Sequence, residues 1–198
     1  MEPVRTVRGT AVPLERSDVD TDQIIPSDWL KRVERTGFGD GLFAEWRADP
    51  DFVLNHDRYR DATILVTGPN FGTGSSREHA VWALQDFGFR AVVSPRFADI
   101  FRTNCTKVGL VPVEVDEGTG RVLLDAVAAD PTTELTVDVE ARRLRAPSAG
   151  VDVDFPLDDF TRWRFLEGLD DIGLTLRHEE AIAAYERGRR SWLPTTTG

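Results

Sequence analysis

Hydrophobic and polar positions follow two regimes along this chain. Between Asp61 and Val115, short apolar runs alternate with longer mixed stretches. "TILVT", "RAVVS" and "LVPVEV" each read as a buried strand. The stretches between them read as helices, one near Ser76–Phe87 and one over "FADIFRTNCTKV". Strands alternating with helices at this spacing predict βαβ units and parallel pairing. Beyond Asp130 the period changes: "TELTVDVEARRLRA" alternates every second residue on both sides of "EARR", which predicts a hairpin. "VDVDFPL" predicts one more strand, and "DAVAAD" a short helix before the hairpin. From Leu157 on, two helices are expected, separated near Gly168 and Asp170, followed by a frayed tail.

The first sixty residues are less regular. "VRTVRGTAVPL" reads as a short strand with a turn. "RSDVDTDQIIPSDWL" is a polar run closed by Pro26, with a short helix begun at Ser27 or Asp28. "KRVERTGFGDGLFAEWRADPDF" carries three glycines and alternates basic with aromatic residues, so it reads as a long loop with a little helix, the kind of loop that is commonly functional. The expected organisation is one α/β domain. Its body spans residues 1–156, a helical extension 157–190 and a tail 191–198.

Composition narrows the function. The chain has 198 residues, 40% of them hydrophobic, enough to fill a sizeable core. A formal net charge of -10 argues against nucleic acid or an anionic membrane surface as partner, because phosphate binding rests on clustered Lys and Arg. Cys105 is the single cysteine, which excludes an internal disulfide and a self-contained zinc–thiolate site or iron–sulfur cluster. The three histidines, His56, His79 and His178, are scattered, so no metal is expected to be held by this chain alone. No apolar stretch approaches about 18 residues and no basic-then-apolar leader is present, which sets the cytoplasm as the expected compartment.

The candidate chemistry lies in "NFGTGSSREH", Asn70 to His79, between a strand and a helix. Ser75 and Glu78 fit S-x-x-E, a capping box that would only close a helix. Gly72 and Gly74 would supply the positive φ of a tight turn. A second reading uses the same residues differently. Amides at a helix start bind anions, Arg77 offers a planar fork for a carboxylate, and that positive environment lowers the cost of a serine alkoxide. The P-loop lysine is missing, Arg77 stands where a dinucleotide fingerprint needs glycine, and no serine is flanked as in a nucleophile elbow. Capping and anion recognition with a serine base both remain open on the residues alone.

"NFGTGSSREHAVWAL", followed by "RAVVSPRFADIFRTNCTKVGLVPV", resembles the swivelling domain of the aconitase superfamily, with its Gly-x-Gly-Ser-Ser-Arg-Glu-His turn. "VDTDQIIPSDWLKR" is similar to the superfamily's Asp-Thr-Asp-x-Ile-x-Pro segment. "RTGFGDGLFAEWR" and "WRFLEGLDDIGLTLRHEEAIAAYE" look like the bacterial small-subunit family of 3-isopropylmalate dehydratase. The resemblance spans roughly residues 1 to 190. It implies an aconitase-type swivelling β/β/α fold with a mixed sheet and a helical C-terminal extension. It also implies a large-subunit partner holding a [4Fe–4S] cluster, with no cofactor bound by this chain. The implied reaction turns 2-isopropylmalate into 3-isopropylmalate through 2-isopropylmaleate, in leucine biosynthesis.

By position in the motif, Ser75 matches the family's base, and Ser76 and Arg77 match residues that hold substrate carboxylates. Asp22 with Thr21 matches a segment lining the site. Lys31 or Arg32 matches an arginine that grips a carboxylate. Leu30 and Val33, on either side of that cationic pair, are the expected apolar wall for substrate selection. Two other readings compete: a related hydro-lyase acting on homoaconitate, citraconate or a similar diacid, and a stand-alone anion-binding module. The remaining singled-out residues have plainer expectations. His79 reads as a first-turn residue bonded to backbone, and Cys105 as a small buried hydrophobe. Trp46, Trp82 and Trp163 read as core or interface, and "RGRR" as a solvated helix terminus.

Overall fold

The computed structural model describes residues 1–31, 36–190 and 192. Seven strands form one sheet in the order β4-β3-β2-β1-β5-β6-β7. β1 (Thr6–Leu14), β2 (Ile64–Thr67), β3 (Ala91–Ser94) and β4 (Val111–Glu114) are mutually parallel. β5 (Glu134–Asp138), β6 (Arg143–Ala146) and β7 (Val151–Asp154) are antiparallel, and β5 joins them to β1.

β1 belongs to both halves of this mixed sheet. Its first five residues pair with β5, Thr6 opposite Asp138 through Thr10 opposite Glu134. Its last four pair with β2, Ala11 opposite Ile64 through Leu14 opposite Thr67. Burial follows the partner. Every residue of β2 and β3 and the last four of β1 are buried, as in parallel sheets covered on both faces. β5 and β6 alternate buried with half-exposed or exposed positions, as in sheets wet on one face. Pro13 is tolerated because the ladder with β5 has already ended at Thr10.

The crossovers are α3 (Glu78–Phe87) between β2 and β3 and α4 (Asp99–Val108) between β3 and β4. α5 (Glu117–Ala129) packs across β1 and β2 before the chain turns into the hairpin of β5 and β6. This helix is 13 residues long, where only "DAVAAD" was expected. Gly118 and Gly120 conceal its first turns in the sequence, yet Gly120 is needed there, because a Cβ would lie 2.8 Å from Pro95. The two expected C-terminal helices are three: α6 (Asp159–Glu167), α7 (Asp171–Leu176) and α8 (Glu179–Arg187). Gly168 and Asp170 do separate the first two, as a left-handed C-cap and an N-cap. The break before α8 has no Gly or Pro to announce it.

α6 is fastened to the body. Phe165 is fully buried, its carbonyl accepts from the Val4 amide at 2.7 Å, and Arg164 reaches Asp171 at 2.9 Å. α7 and α8 bury no residue, and Ile172, Leu176 and Tyr185 stand exposed. Trp82 and Trp46 lie half-buried against the core, as expected, and "RGRR" closes α8 at the surface.

Aspartates cap α5, α6 and α7: Asp116 accepts from the Thr119 amide, Asp158 from Thr161 and Asp170 from Gly173. The Thr119 hydroxyl and then its amide at Asp116, the Thr161 amide and then its hydroxyl at Asp158, and the Gly173 amide at Asp170 hold all three carboxyls below their usual 3.8. A folded pKa below the unfolded one contributes stability that is present at neutral pH and lost as pH falls through the folded value. The expected outcome is a melting temperature that drops below about pH 4, the usual aspartate range, with a smaller drop for Asp158→Asn. At pH 7, Asp158→Ala should cost about 0.5–1 kcal/mol, the low end for a cap, because the carboxylate is exposed and screened. Thermal melts across pH check both.

Candidate active site at the carboxyl edge of the parallel strands

Because β1 to β4 run in one direction, their carboxyl ends lie along one edge, where open α/β sheets hold ligands. The segment after β1 and the glycine turn after β2 meet there. Val19 O accepts from the amides of Gly72 (2.8 Å) and Thr73 (3.1 Å), and Thr73 O accepts from Thr21 N (2.9 Å). A one-turn helix, α1 (Thr21–Ile24), starts at this junction. Asp20 caps it by accepting from Gln23 N at 2.8 Å, while the Gln23 side chain accepts from Asp20 N at 3.0 Å. "DTDQ" carries the D-x-x-Q signal of a capping box, which the reading of this run as a polar stretch passed over.

The glycines have the expected backbone: φ is +80° at Gly72 and +87° at Gly74. Gly72 is also held by space, since a Cβ there would sit 2.1 Å from the Phe101 ring. The capping box expected of Ser75 and Glu78 is not made. α3 begins at Glu78 with Arg77 as N-cap, and no side chain caps it. The reason is local. Arg77 N turns back to Ser75 O at 2.8 Å, a tight bend that keeps Ser75 and Ser76 outside the helix.

Ser75 is exposed, and its hydroxyl lies 3.3 Å from Thr21 Oγ1. Thr21 is buried, and its hydroxyl also reaches Ser75 O at 3.2 Å. Arg77 pairs with Asp22. The arginine side chain is 22% exposed and the aspartate 59%, so the guanidinium sits against the protein and the carboxylate on its solvent side. The structure thus brings Thr21, Asp22, Ser75 and Arg77 together, with Ser76 exposed beside them. The anion-binding row of amides is shorter than expected. Those of Gly72, Thr73 and Arg77 are bound to backbone carbonyls, leaving Gly74, Ser75 and Ser76 without an acceptor among the described residues.

Leu30 and Lys31 end a 3-10 turn, Ser27–Lys31. Leu30 is half-buried, and Lys31 is exposed and bound to Asp28 at 2.8 Å. Among the described residues no hydrogen bond or ion pair joins Lys31 to the glycine turn. Arg32 and Val33 lie outside the described residues. From Phe38 on, the long loop, which carries the one-turn helix α2 (Ala44–Arg47), docks on α3. Phe38 N donates to Asp86 at 3.0 Å, and Gly39 approaches the Asp86–Phe87 backbone so closely that a Cβ would lie 2.9 Å away. His79 faces this loop. Its ring lies 5.2 Å from Phe38 and 4.7 Å from Trp82, and no backbone hydrogen bond to it is found among the described residues. The expectation of a backbone-bonded histidine is therefore corrected: aromatic packing holds it.

The described residues do not fit an iron–sulfur cluster. Cys105 is fully buried in α4, burial pushes its thiol well up, and no group of three or more His, Cys, Asp or Glu converges among them. Nor is any described helix long and apolar enough to cross a membrane.

The family model described as the aconitase C-terminal domain matches residues 1–118. A small subunit of 3-isopropylmalate dehydratase from Parafrankia sp. (strain EAN1pec) is 66% identical over 99% of this chain and 100% of its own length. The chain belongs to the family of 3-isopropylmalate dehydratase small subunits. A second member, from Frankia casuarinae, is 65% identical over 99% of this chain and 100% of its own. A further family model, described as the C-terminal domain of the 3-isopropylmalate dehydratase small subunit, matches residues 171–198, the region of α7 and α8. The crystal structure of 3-isopropylmalate dehydratase from Methanocaldococcus jannaschii shares the fold, with a TM-score of 0.66 and 24% identity over 91% of this chain and 99% of that one.

The two turn glycines make separable demands. Gly72→Ala should cost about 1–3 kcal/mol of backbone strain and further stability from the clash with Phe101. Gly74→Ala meets nothing closer than 3.4 Å and should lose only about 1–2 kcal/mol of strain. Thermal denaturation of both variants should therefore rank Gly72→Ala as the less stable.

Proposed function

We propose that this chain works as the small subunit of a 3-isopropylmalate dehydratase. It would interconvert 2-isopropylmalate and 3-isopropylmalate through 2-isopropylmaleate, by dehydration and rehydration in leucine biosynthesis. The observation that carries the reading is the exposed Ser75 hydroxyl, 3.3 Å from the buried Thr21 hydroxyl and on the same turn as the Arg77–Asp22 pair, in a chain related along its whole length to proteins of that name. The names of these relatives favour this substrate over homoaconitate or citraconate. We place the enzyme in the cytoplasm, as one domain with a helical extension.

Ser75 acts as general base. In dehydration its oxygen takes the proton from the carbon beside one carboxylate, the C–H pair becomes the double bond, and the neighbouring hydroxyl leaves with its own bonding pair. Rehydration at the other carbon reverses the steps. Arg77 and Ser76 hold a carboxylate, helped by the amides of Gly74 and Ser75. Asp22 occupies the Arg77 fork until the substrate carboxylate arrives. Lys31 or Arg32 grips the second carboxylate, and for Lys31 this means exchanging Asp28. A [4Fe–4S] cluster held by the large subunit would supply the Lewis acid for the leaving hydroxyl.

Ser75→Ala in the complex with the large subunit should lower kcat by at least about 10²-fold, in line with the loss of a positioned base, with little change in melting temperature because Ser75 caps no helix. A variant that melts early yet turns over normally would return Ser75 to a structural role.

Selectivity rests on the apolar wall at Leu30, with Val33 as its second member. Such a wall rejects an extra carboxylate, because burying an unpaired charge is costly, but distinguishes alkyl branches by only about 1–3 kcal/mol per methylene. Leu30→Arg should depress turnover of 2-isopropylmalate and admit a tricarboxylate. Steady-state kinetics with both substrates decides it. Unchanged selectivity in a destabilised variant would move the wall elsewhere.

A further inference from the structure

The geometry points to Thr21 as the positioning residue that prepares Ser75, a role that rests on the reading of Ser75 as base. Thr21 is 2% exposed, and its hydroxyl stands within reach of two acceptors on one residue, Ser75 O at 3.2 Å and Ser75 Oγ at 3.3 Å. A threonine hydroxyl has one proton and two lone pairs, so it cannot donate to both.

The two arrangements map onto the two states of the base. When Ser75 carries its proton, that O–H donates to Thr21 Oγ1 and Thr21 donates to the Ser75 carbonyl. When Ser75 gives up its proton, the Thr21 O–H turns to the alkoxide. The Ser75 carbonyl then keeps the Arg77 amide, at 2.8 Å, as its donor. No buried group loses its last partner in either state. The neutral donor costs little to reorient, and in a buried position it is worth more to a charged oxygen than water would be.

Position supports the assignment. Thr21 is locked by its own amide to Thr73 O at 2.9 Å and sits at the first residue of the capped helix α1, so its hydroxyl is fixed relative to the glycine turn. Gly74 lies next to it, the nearest approach of a Cβ there being 3.4 Å to Thr21 Oγ1. Thr21 is the side-chain hydrogen-bond partner found for the Ser75 hydroxyl among the described residues, while the Arg77 guanidinium on the same turn is held by Asp22.

The test compares Thr21→Val, Thr21→Ser and Ser75→Ala in the complex with the large subunit. A hydrogen bond to a charged oxygen corresponds to about one to two pH units of displacement. Thr21→Val should therefore lower kcat ten- to hundredfold at neutral pH and shift its rate–pH curve upward by that amount, with KM nearly unchanged. Thr21→Ser should restore both. Thr21→Ala is the second variant should valine prevent assembly, with the same expectation. An unmoved pH curve in the hydroxyl-free variant, or a loss that serine does not rescue, would overturn the assignment of Thr21 while leaving Ser75 as base. Full turnover in Ser75→Ala would remove the base, and Thr21's role with it.

Discussion

Where β1 and β2 end, the two chain segments keep running side by side. Val19 O takes the amides of both Gly72 and Thr73, and Thr73 O takes the amide of Thr21. Three backbone bonds thus lace a polar segment to a glycine turn some fifty residues later in the chain. Everything at the carboxyl edge depends on that lacing. It puts the Thr21 hydroxyl under Ser75 and Asp22 against Arg77. Side chains alone could not hold such a pairing, because Asp22 and Ser75 are exposed and a surface ion pair is worth about 0–1 kcal/mol. Backbone bonds at the end of a buried parallel ladder supply the rigidity instead.

The glycine turn is shaped by what surrounds it as much as by its own residues. Phe101 fills the space a side chain at Gly72 would need, and it packs edge-on against Phe71 at 5.3 Å. Phe71 in turn bonds through its amide to Arg96 O and through its carbonyl to Ala98 N, tying the turn to the segment after β3. The connections after three successive parallel strands therefore brace one another. On the other side, α3 carries the long loop through Phe38, His79 and Trp82. The same helix that begins at the site thus anchors the loop leading up to it.

The sheet itself has two characters. Its parallel half is covered on both faces and supports the site; its antiparallel half is wet on one side and braces β1 from below. The helical tail departs from this plan. α6 is buried at Phe165 and held by Arg164, but α7 and α8 are short helices with no buried residue, and helices of that length are marginal in water without a packed face.

The strands, the parallel core and the glycine–serine turn were legible in the sequence because each leaves a local mark. Fully buried strands are continuous apolar runs, half-buried ones alternate, and a left-handed turn demands glycine at Gly72 and Gly74. The helical starts were less legible. Two glycines hid the first turns of α5, an unmarked break divided the tail once more than expected, and S-x-x-E mimicked a cap that the bend from Ser75 to Arg77 prevents. What only the tertiary structure decided is which side chains meet. Thr21 and Ser75 are 54 positions apart, as Asp22 and Arg77 are 55, and nothing in either segment's periodicity encodes that encounter. It follows from β1 and β2 being neighbours in register, a property of the whole sheet. The sequence by itself determined the elements and the chemical groups; the sheet brought those groups within hydrogen-bond reach.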